Sequence, residues 1–472
     1  MRIVDWNQLD PEGKRAALAR PALESRQDVL NSAREIVETV RRDGDDALRA
    51  YTRKFDRVEV HDLAVSREEF VAARKALTPL QITAIERAIQ NVRAFHKAQL
   101  PEELSLETMP GVRCERLIRP VPAVGLYVPA GSAPLPSAVI MLAVPAQLVG
   151  CPRRVLCTPP AADGFANPAV LVAAELCGID TVFKVGGAQS IAAMAYGTRT
   201  VPKVDKIFGP GNAWVTAAKQ LVASDPSGAA FDLPAGPSEV LVVADDAASP
   251  ELCAADLLAQ AEHDTRAQAI LVTTSRALAE ATVAAVKEQM NGLSRREILE
   301  QSVASSRCIV VSDLETAIAV SNDYAPEHLI LQVREPRKWL PQIQNAGSVF
   351  LGQWTPEPMG DYCSGTNHVL PTYGYARAYS GLSVIDFTKR MTVQELTPDG
   401  LRALGPTAVT LAELEGLDAH ANAVSKRLAL LDNASSTAGS ATTPSGTPTA
   451  AASGAKSRRA GSATSRAPTS SR

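Results

Sequence analysis

Histidine is scarce in this chain, with six residues in 472. Cysteine is sparse as well. Seven are scattered at positions 114, 151, 157, 177, 253, 308 and 363, an odd number with no C-x-x-C pair. That pattern excludes a disulfide framework and suits reduced thiols in a cytoplasmic protein. No run of about eighteen apolar residues exists, so no membrane span is expected. The start, Met1-Arg2-Ile3-Val4-Asp5-Trp6-Asn7, lacks an apolar stretch, and no secretory leader is expected. Charge of one sign is also missing in bulk: the formal net charge is −3. Bulk electrostatics therefore give no hint of a nucleic acid or a membrane surface.

What is there fits an ordinary soluble α/β protein. Hydrophobic residues make up 46% and charged residues 21%, over a length sufficient for two or three domains. Apolar residues at helical spacing predict helices over Arg26–Arg42, Ser66–Leu77 and Leu80–Ala98. From Val121 the texture changes to short β-branched runs alternating with Ala-rich helices. Strands are predicted at 123–128, 154–157, 181–185 and 206–208, and again at 240–243, 269–273, 308–311 and 329–333. This rhythm predicts two tandem α/β units with parallel sheets. Helices return at Thr407–Glu415 and Asp418–Leu431, split at Gly416. From Asn433 the chain is Ala/Ser/Thr/Gly/Pro-rich with Lys456, Arg458, Arg459, Arg466, Arg472 and no acid. It cannot bury enough apolar surface to offset its ordering entropy, and disorder is expected.

The few histidines keep polar company. Gln260 and His263 are i and i+3 on a helical run and share a face. His420 lies far downstream, and between them come Glu327-His328 and Gly360-Asp361-Tyr362. Imidazole nitrogen and carboxylate oxygen suit a borderline cation such as zinc. The spacing alone is a weak signal. A histidine near its ordinary pKa of about 6.5 can accept and return protons, and an adjacent glutamate could orient it or activate water. An exposed Glu-His pair can equally be incidental. His368 is a further candidate for binding or loop structure, whereas His61 and His96, among charged residues, are assigned to the surface. Cys363 lies two residues after Asp361. A nucleophilic thiol needs a base and a cation to depress its pKa, and nothing near it in sequence supplies the cation.

Three glycine-bearing loops follow predicted strands. Gly209-Pro210-Gly211-Asn212 opens a helix, where backbone N–H groups can meet a phosphate. The strict dinucleotide fingerprint fails, because Trp214 stands where its third glycine would be. A plain tight turn remains open for this loop alone. With Gly186-Gly187-Ala188-Gln189 and Tyr127-Val128-Pro129-Ala130-Gly131-Ser132, the loops would cluster at the carboxyl ends of strands, where α/β proteins bind ligands.

The chain resembles the histidinol dehydrogenase family. The blocks that carry the resemblance are Gly125–Pro129, Val185–Gln189, Lys203–Asn212, Leu233–Glu239, Gln260–Asp264, Ala325–Leu329, Gly360–Thr372 and Asp418–Val424. They keep the family's order over about residues 1–431. The resemblance implies oxidation of L-histidinol to L-histidine through L-histidinaldehyde with two NAD, closing histidine biosynthesis. It implies zinc, one per subunit, held by Gln260, His263, Asp361 and His420. It implies NAD at Tyr127, Gln189 and Asn212, and acid–base work by Glu327 and His328. Substrate would touch Ser238, Gln260, His263, His328, Asp361, Glu415 and His420. The family is a cytoplasmic homodimer with exchanged arms, so Glu415 and His420 would complete the partner's site.

The implied fold is two incomplete Rossmann-like domains with extended helical arms. On this chain that places an N-terminal arm over 1–24, a first α/β domain over 25–126 and 237–380 with the metal and catalytic residues, and a second over 127–236 with the NAD loops. A C-terminal helical arm would follow over 381–432, and a disordered tail over 433–472. One carboxylate with two neutral imidazoles and an amide would leave a zinc site at +1, favourable to an amine or imidazole donor and a developing alkoxide. Rival readings are a related zinc-dependent NAD alcohol dehydrogenase acting on another amino or sulfo alcohol, a zinc hydrolase that needs no nicotinamide, and a noncatalytic binding protein.

Overall fold

The computed structural model describes residues 1–21, 26–130, 134–234 and 236–439. Gly131, Ser132 and Ala235 of the quoted loops, the end of the expected N-terminal arm, and residues 440–472 of the expected tail lie outside the described residues. Two compact units are distinguished, residues 1–104 with 116–392, and residues 105–115 with those from 393 onward.

In chain order the strands begin with β1 (Arg2–Asp5), β2 (Leu104–Met109) and β3 (Val112–Pro120). There follow β4 (Ala123–Tyr127), β5 (Arg153–Thr158), β6 (Val182–Lys184), β7 (Lys206–Phe208) and β8 (Ala230–Phe231). These last five form one sheet in the order β6-β5-β4-β7-β8. Next come β9 (Glu239–Ala244), β10 (Gln268–Thr273), β11 (Arg307–Val310), β12 (His328–Gln332) and β13 (Ser348–Leu351). With β1 on its outer edge they build a six-stranded sheet, β1-β11-β10-β9-β12-β13. Pairing within both sheets is parallel. Apart from the edge strand β1, each sheet starts in its middle, steps outward, then crosses back beside its starting strand. That is the doubly wound order, with switch points between β4 and β7 and between β9 and β12. The predicted α/β class with two Rossmann-like sheets is therefore what the chain adopts.

Parallel sheets need cover on both faces. Every residue of β9 and β10 is buried. For the five-stranded sheet part of the cover comes from the N-terminal region. Helices Arg26–Asp43 and Asp45–Phe55 contact Gly187–Tyr196, and the first also contacts Ala213–Ala223. Helices Arg67–Ala76 and Pro79–Lys97 contact Pro168–Leu176 and Pro136–Leu148. The grouping expected from sequence put residues 25–126 with the six-stranded sheet. The contacts of these helices run to the five-stranded side, because their apolar stripe (Ile36, Val37, Val40, Leu48) joins the cluster of Val155, Ile191 and Val222. Likewise Arg2–Asp5, expected within an arm, pair as β1 with Arg307–Val310.

A third sheet, with β14 (Thr388–Leu396), has order β14-β3-β2. No prediction anticipated it. β2 and β14 are largely exposed, so no buried apolar face marks them in the sequence. In the second unit helices Pro398–Leu414 and Asp418–Gly439 pack on each other, and Gly405 leaves room for Leu428 and Val424. The first starts earlier than predicted, since Thr397 caps it on Gly400 N–H. The second runs to Gly439, past the expected start of the tail at Asn433. Among the described residues no helix is long and apolar enough to cross a membrane.

Candidate active site and metal centre

The site grows from the amino ends of β9 and β12. His328 opens β12 and pairs in register with Val240. Ahead of it the helix Leu314–Tyr324 ends at Ala325, a non-glycine residue at φ +53°, so the chain turns sharply into Pro326-Glu327. Arg20 secures this turn by donating to the carbonyls of Tyr324 (2.7 Å) and Ala325 (3.4 Å). It also forms a bidentate pair with buried Glu239, at 2.5 and 2.9 Å. The Glu239 N–H in turn donates to Glu327 Oε2 at 2.9 Å.

Two helices complete the cluster. The helix Pro250–Ala261 carries Gln260 on its last turn, with His263 just beyond. The short helix Glu357–Tyr362 carries Glu357 and Asp361. Three carboxylates converge on one imidazole: His328 Nε2 lies 3.4 Å from Asp361 Oδ1, and Nδ1 lies 3.7 Å from Glu357 Oε1 and 3.8 Å from Glu327 Oε2. Nδ1 is also 2.9 Å from the Gln260 amide and 3.2 Å from the Glu239 carbonyl oxygen, while Nε2 makes no hydrogen bond among the described residues. The Gln260 amide is best satisfied with its nitrogen turned to donate to Glu357 Oε1 at 3.0 Å.

Burial dominates the electrostatics. It pushes the carboxyls of Glu327 and Glu357 up to about 8, against the pull of His328. His328 is held well above its ordinary value, because Glu357, Glu327 and Asp361 outweigh its own desolvation. Asp361 stays below the usual carboxylate range, its burial outweighed by His328. Such a cluster gathers three carboxyls around one imidazole in a place that penalises their ionisation. A cation is the group it fits. Ligand atoms of His263, Glu357 and Asp361 all lie within 4.8 Å of one another, a nitrogen and oxygen set of the kind zinc takes.

The sequence reading thus finds Gln260, His263, Glu327, His328 and Asp361 brought together in the first unit. It missed Glu357, whose signal is its place one helical turn before Asp361. Glu415 and His420 belong to the second unit, and both are exposed. His368 donates from Nδ1 to the Asp361 carbonyl at 2.8 Å, which answers the loop-structure reading made for it. His96, assigned to the surface, is buried instead: its Nδ1 bonds Val92 O at 2.9 Å. It falls four residues after Val92 on the helix face that packs inward, and its charged neighbours lie on the other faces.

The glycine loops gather at the carboxyl ends of the five-stranded sheet. Tyr127 ends β4, and its hydroxyl accepts from Gly187 N–H at 3.1 Å. Asn212 caps the helix Ala213–Ala223 through Val215 N–H, and Gln189 is buried in the first turn of Gly187–Tyr196. Gly209 sits at φ +125°, and a Cβ there would run into the Tyr127 carbonyl oxygen. Buried Lys219 and Asp232 grip this peptide: the lysine donates to Gly209 O, and Asp232 accepts from Gly209 N–H at 2.7 Å. One cavity of about 920 Å³ is lined by Tyr127, Gln189 and Asn212 and also by Ser238 and His263.

Residues 19–428 match the family model described as histidinol dehydrogenase. A histidinol dehydrogenase of Vibrio cholerae is 54% identical over 92% of this chain and 100% of its own length. One of Xanthomonas euvesicatoria is 53% identical over 91% and 99%. The crystal structure of the histidinol dehydrogenase of Elizabethkingia anophelis superposes with a TM-score of 0.88 at 45% identity, covering 92% of this chain and 99% of that one. The chain belongs to the histidinol dehydrogenase family.

Proposed function

We propose that the protein oxidises L-histidinol to L-histidine through L-histidinaldehyde, passing two hydrides to two NAD in the last steps of histidine biosynthesis. The observation that carries this reading is the shared cavity, which puts the dinucleotide-loop residues Tyr127, Gln189 and Asn212 in one space with Ser238 and His263. Gln260, His263 and Asp361, with His420, would hold one zinc ion, and Glu357 adds a carboxylate within reach of the same position. When bound, the ion would orient the substrate's amine and imidazole and stabilise developing negative charge on its oxygen.

The residues divide the proton work. His328, whose Nε2 lies 3.4 Å from Asp361 Oδ1, would accept the hydroxyl proton as hydride leaves. The aldehyde must be hydrated before a second hydride can depart. Glu327, made more basic by burial, takes the proton from that water. Ser238 and Glu415 would hold the substrate between the two oxidations, keeping a reactive aldehyde from bulk water.

Glu415 and His420 sit on exposed surface of the second unit. They are read as completing the site of a second copy, in a cytoplasmic homodimer with exchanged arms. Seven free cysteines suit that compartment. The deciding assay counts NADH: two equivalents per histidinol, abolished by a chelator and restored by zinc. One equivalent, or full turnover without metal, would overturn the reading.

A further inference from the structure

One carboxylate in the large cavity has no role in the chemistry above. Asp56 closes the helix Asp45–Phe55 and lines the cavity beside Tyr127, Pro159, Gln189 and Asn212. Its position is costly three times over. It puts negative charge at the negative end of a helix. Burial raises its carboxyl to about 6, with no compensating partner among the described residues. The next residue, Arg57, is forced to φ +60°. Asp56 Oδ2 is buried without a hydrogen bond among the described residues, and so is Oε1 of Gln189, which lines the same cavity. Two unpartnered acceptors on side chains that line one space call for a ligand that brings hydroxyl donors.

The sheet order says which ligand. In doubly wound dinucleotide sites, an acid about 20 residues past the first loop takes the ribose hydroxyls. Here that stretch, from Pro129 through β5 to Pro160, contains no acid at all. The end of β5, Thr158-Pro159-Pro160, offers none. Asp56 reaches the same space from outside the sheet, since its helix packs against Gly187–Tyr196.

We propose that Asp56 accepts the hydroxyls of a dinucleotide ribose and thereby makes the site select NAD over its 2′-phosphorylated form. The inference rests on the NAD reading and names the residue that sets cofactor choice. A 2′-phosphate against this carboxylate would meet like charge in a poorly solvated place.

The test is Asp56→Asn and Asp56→Ala in the full chain with zinc. Each should raise KM and Kd for NAD about tenfold, the worth of a lost charge-assisted hydrogen bond. Each should narrow the NAD-over-NADP preference in kcat/KM by at least as much. KM for histidinol and kcat at saturating NAD should stay within about twofold, and the melting temperature should hold or rise, because an unpaired charge is removed. Unchanged KM for NAD and unchanged preference in folded variants overturn the role of Asp56. A wild-type protein that neither binds nor reduces NAD overturns the underlying reading instead, and this inference with it.

Discussion

Arg20→Met isolates the pair that braces the turn into Glu327. Arg20 and Glu239 have side chains only 14% and 2% exposed, joined by two hydrogen bonds. The guanidinium also stacks 4.0 Å from the Tyr324 ring centroid and holds the Tyr324 and Ala325 carbonyls. Removing one partner of a buried pair strands the other charge, at about 3–5 kcal/mol. At about 2 °C for each kcal/mol in a unit of this size, the melting temperature should fall on the order of 6–10 °C. The sign with pH follows from Glu239, whose carboxyl is raised by burial even with Arg20 in place. A raised carboxyl favours stability below its unfolded pKa and loses that contribution as pH rises through the folded value. Without Arg20 that value climbs further, so the deficit should be largest near pH 8 and shrink toward pH 5. Calorimetry across that range is the assay. A loss under about 2 °C at pH 8, or one that grows on acidification, would refute the reasoning.

Three further outcomes are expected. Glu327 is raised to about 8, so kcat/KM should climb with pH below that value and level above it, and Glu327→Gln should abolish the climb; a profile flat from pH 6.5 to 8.5 would deny Glu327 the role of base. Gly209→Ala should push its loop off Tyr127 and weaken NAD binding about tenfold or more while leaving zinc content intact, measured by titration calorimetry and elemental analysis; unchanged NAD affinity would separate this loop from the cofactor. His263→Asn should lose zinc and activity together, and Glu357→Gln should lower zinc affinity on the order of 10–100-fold in competition with a chelator; full occupancy in both would disperse the proposed metal centre.

What the sequence disclosed depended on whether the signal was local. Strands such as Val240–Val243 and helices such as Pro250–Ala261 carry their own periodicity or caps, and they were legible. The strands Leu104–Met109 and Thr388–Leu396 were not, because exposed strands have no apolar face to bury. Domain membership also escaped. Whether the helix Arg26–Asp43 covers one sheet or the other is decided by which apolar surface it finds, a long-range fact.

The same distinction explains the residues that sequence reasoning passed over. Arg20 is separated from Glu239 by 219 positions, and nothing near either announces the other. Glu357 looks like one more helical acid until Gln260 and His328 close on it. Asp56 looks like the polar end of a surface helix until the cavity is seen around it. All three are charged groups set at buried or partly buried positions. Arg20 is compensated by Glu239. Among the described residues Glu357 has His328 as its cationic partner and Asp56 has none, so their burial is what the proposed ligands would account for: a cation for Glu357, a ribose for Asp56.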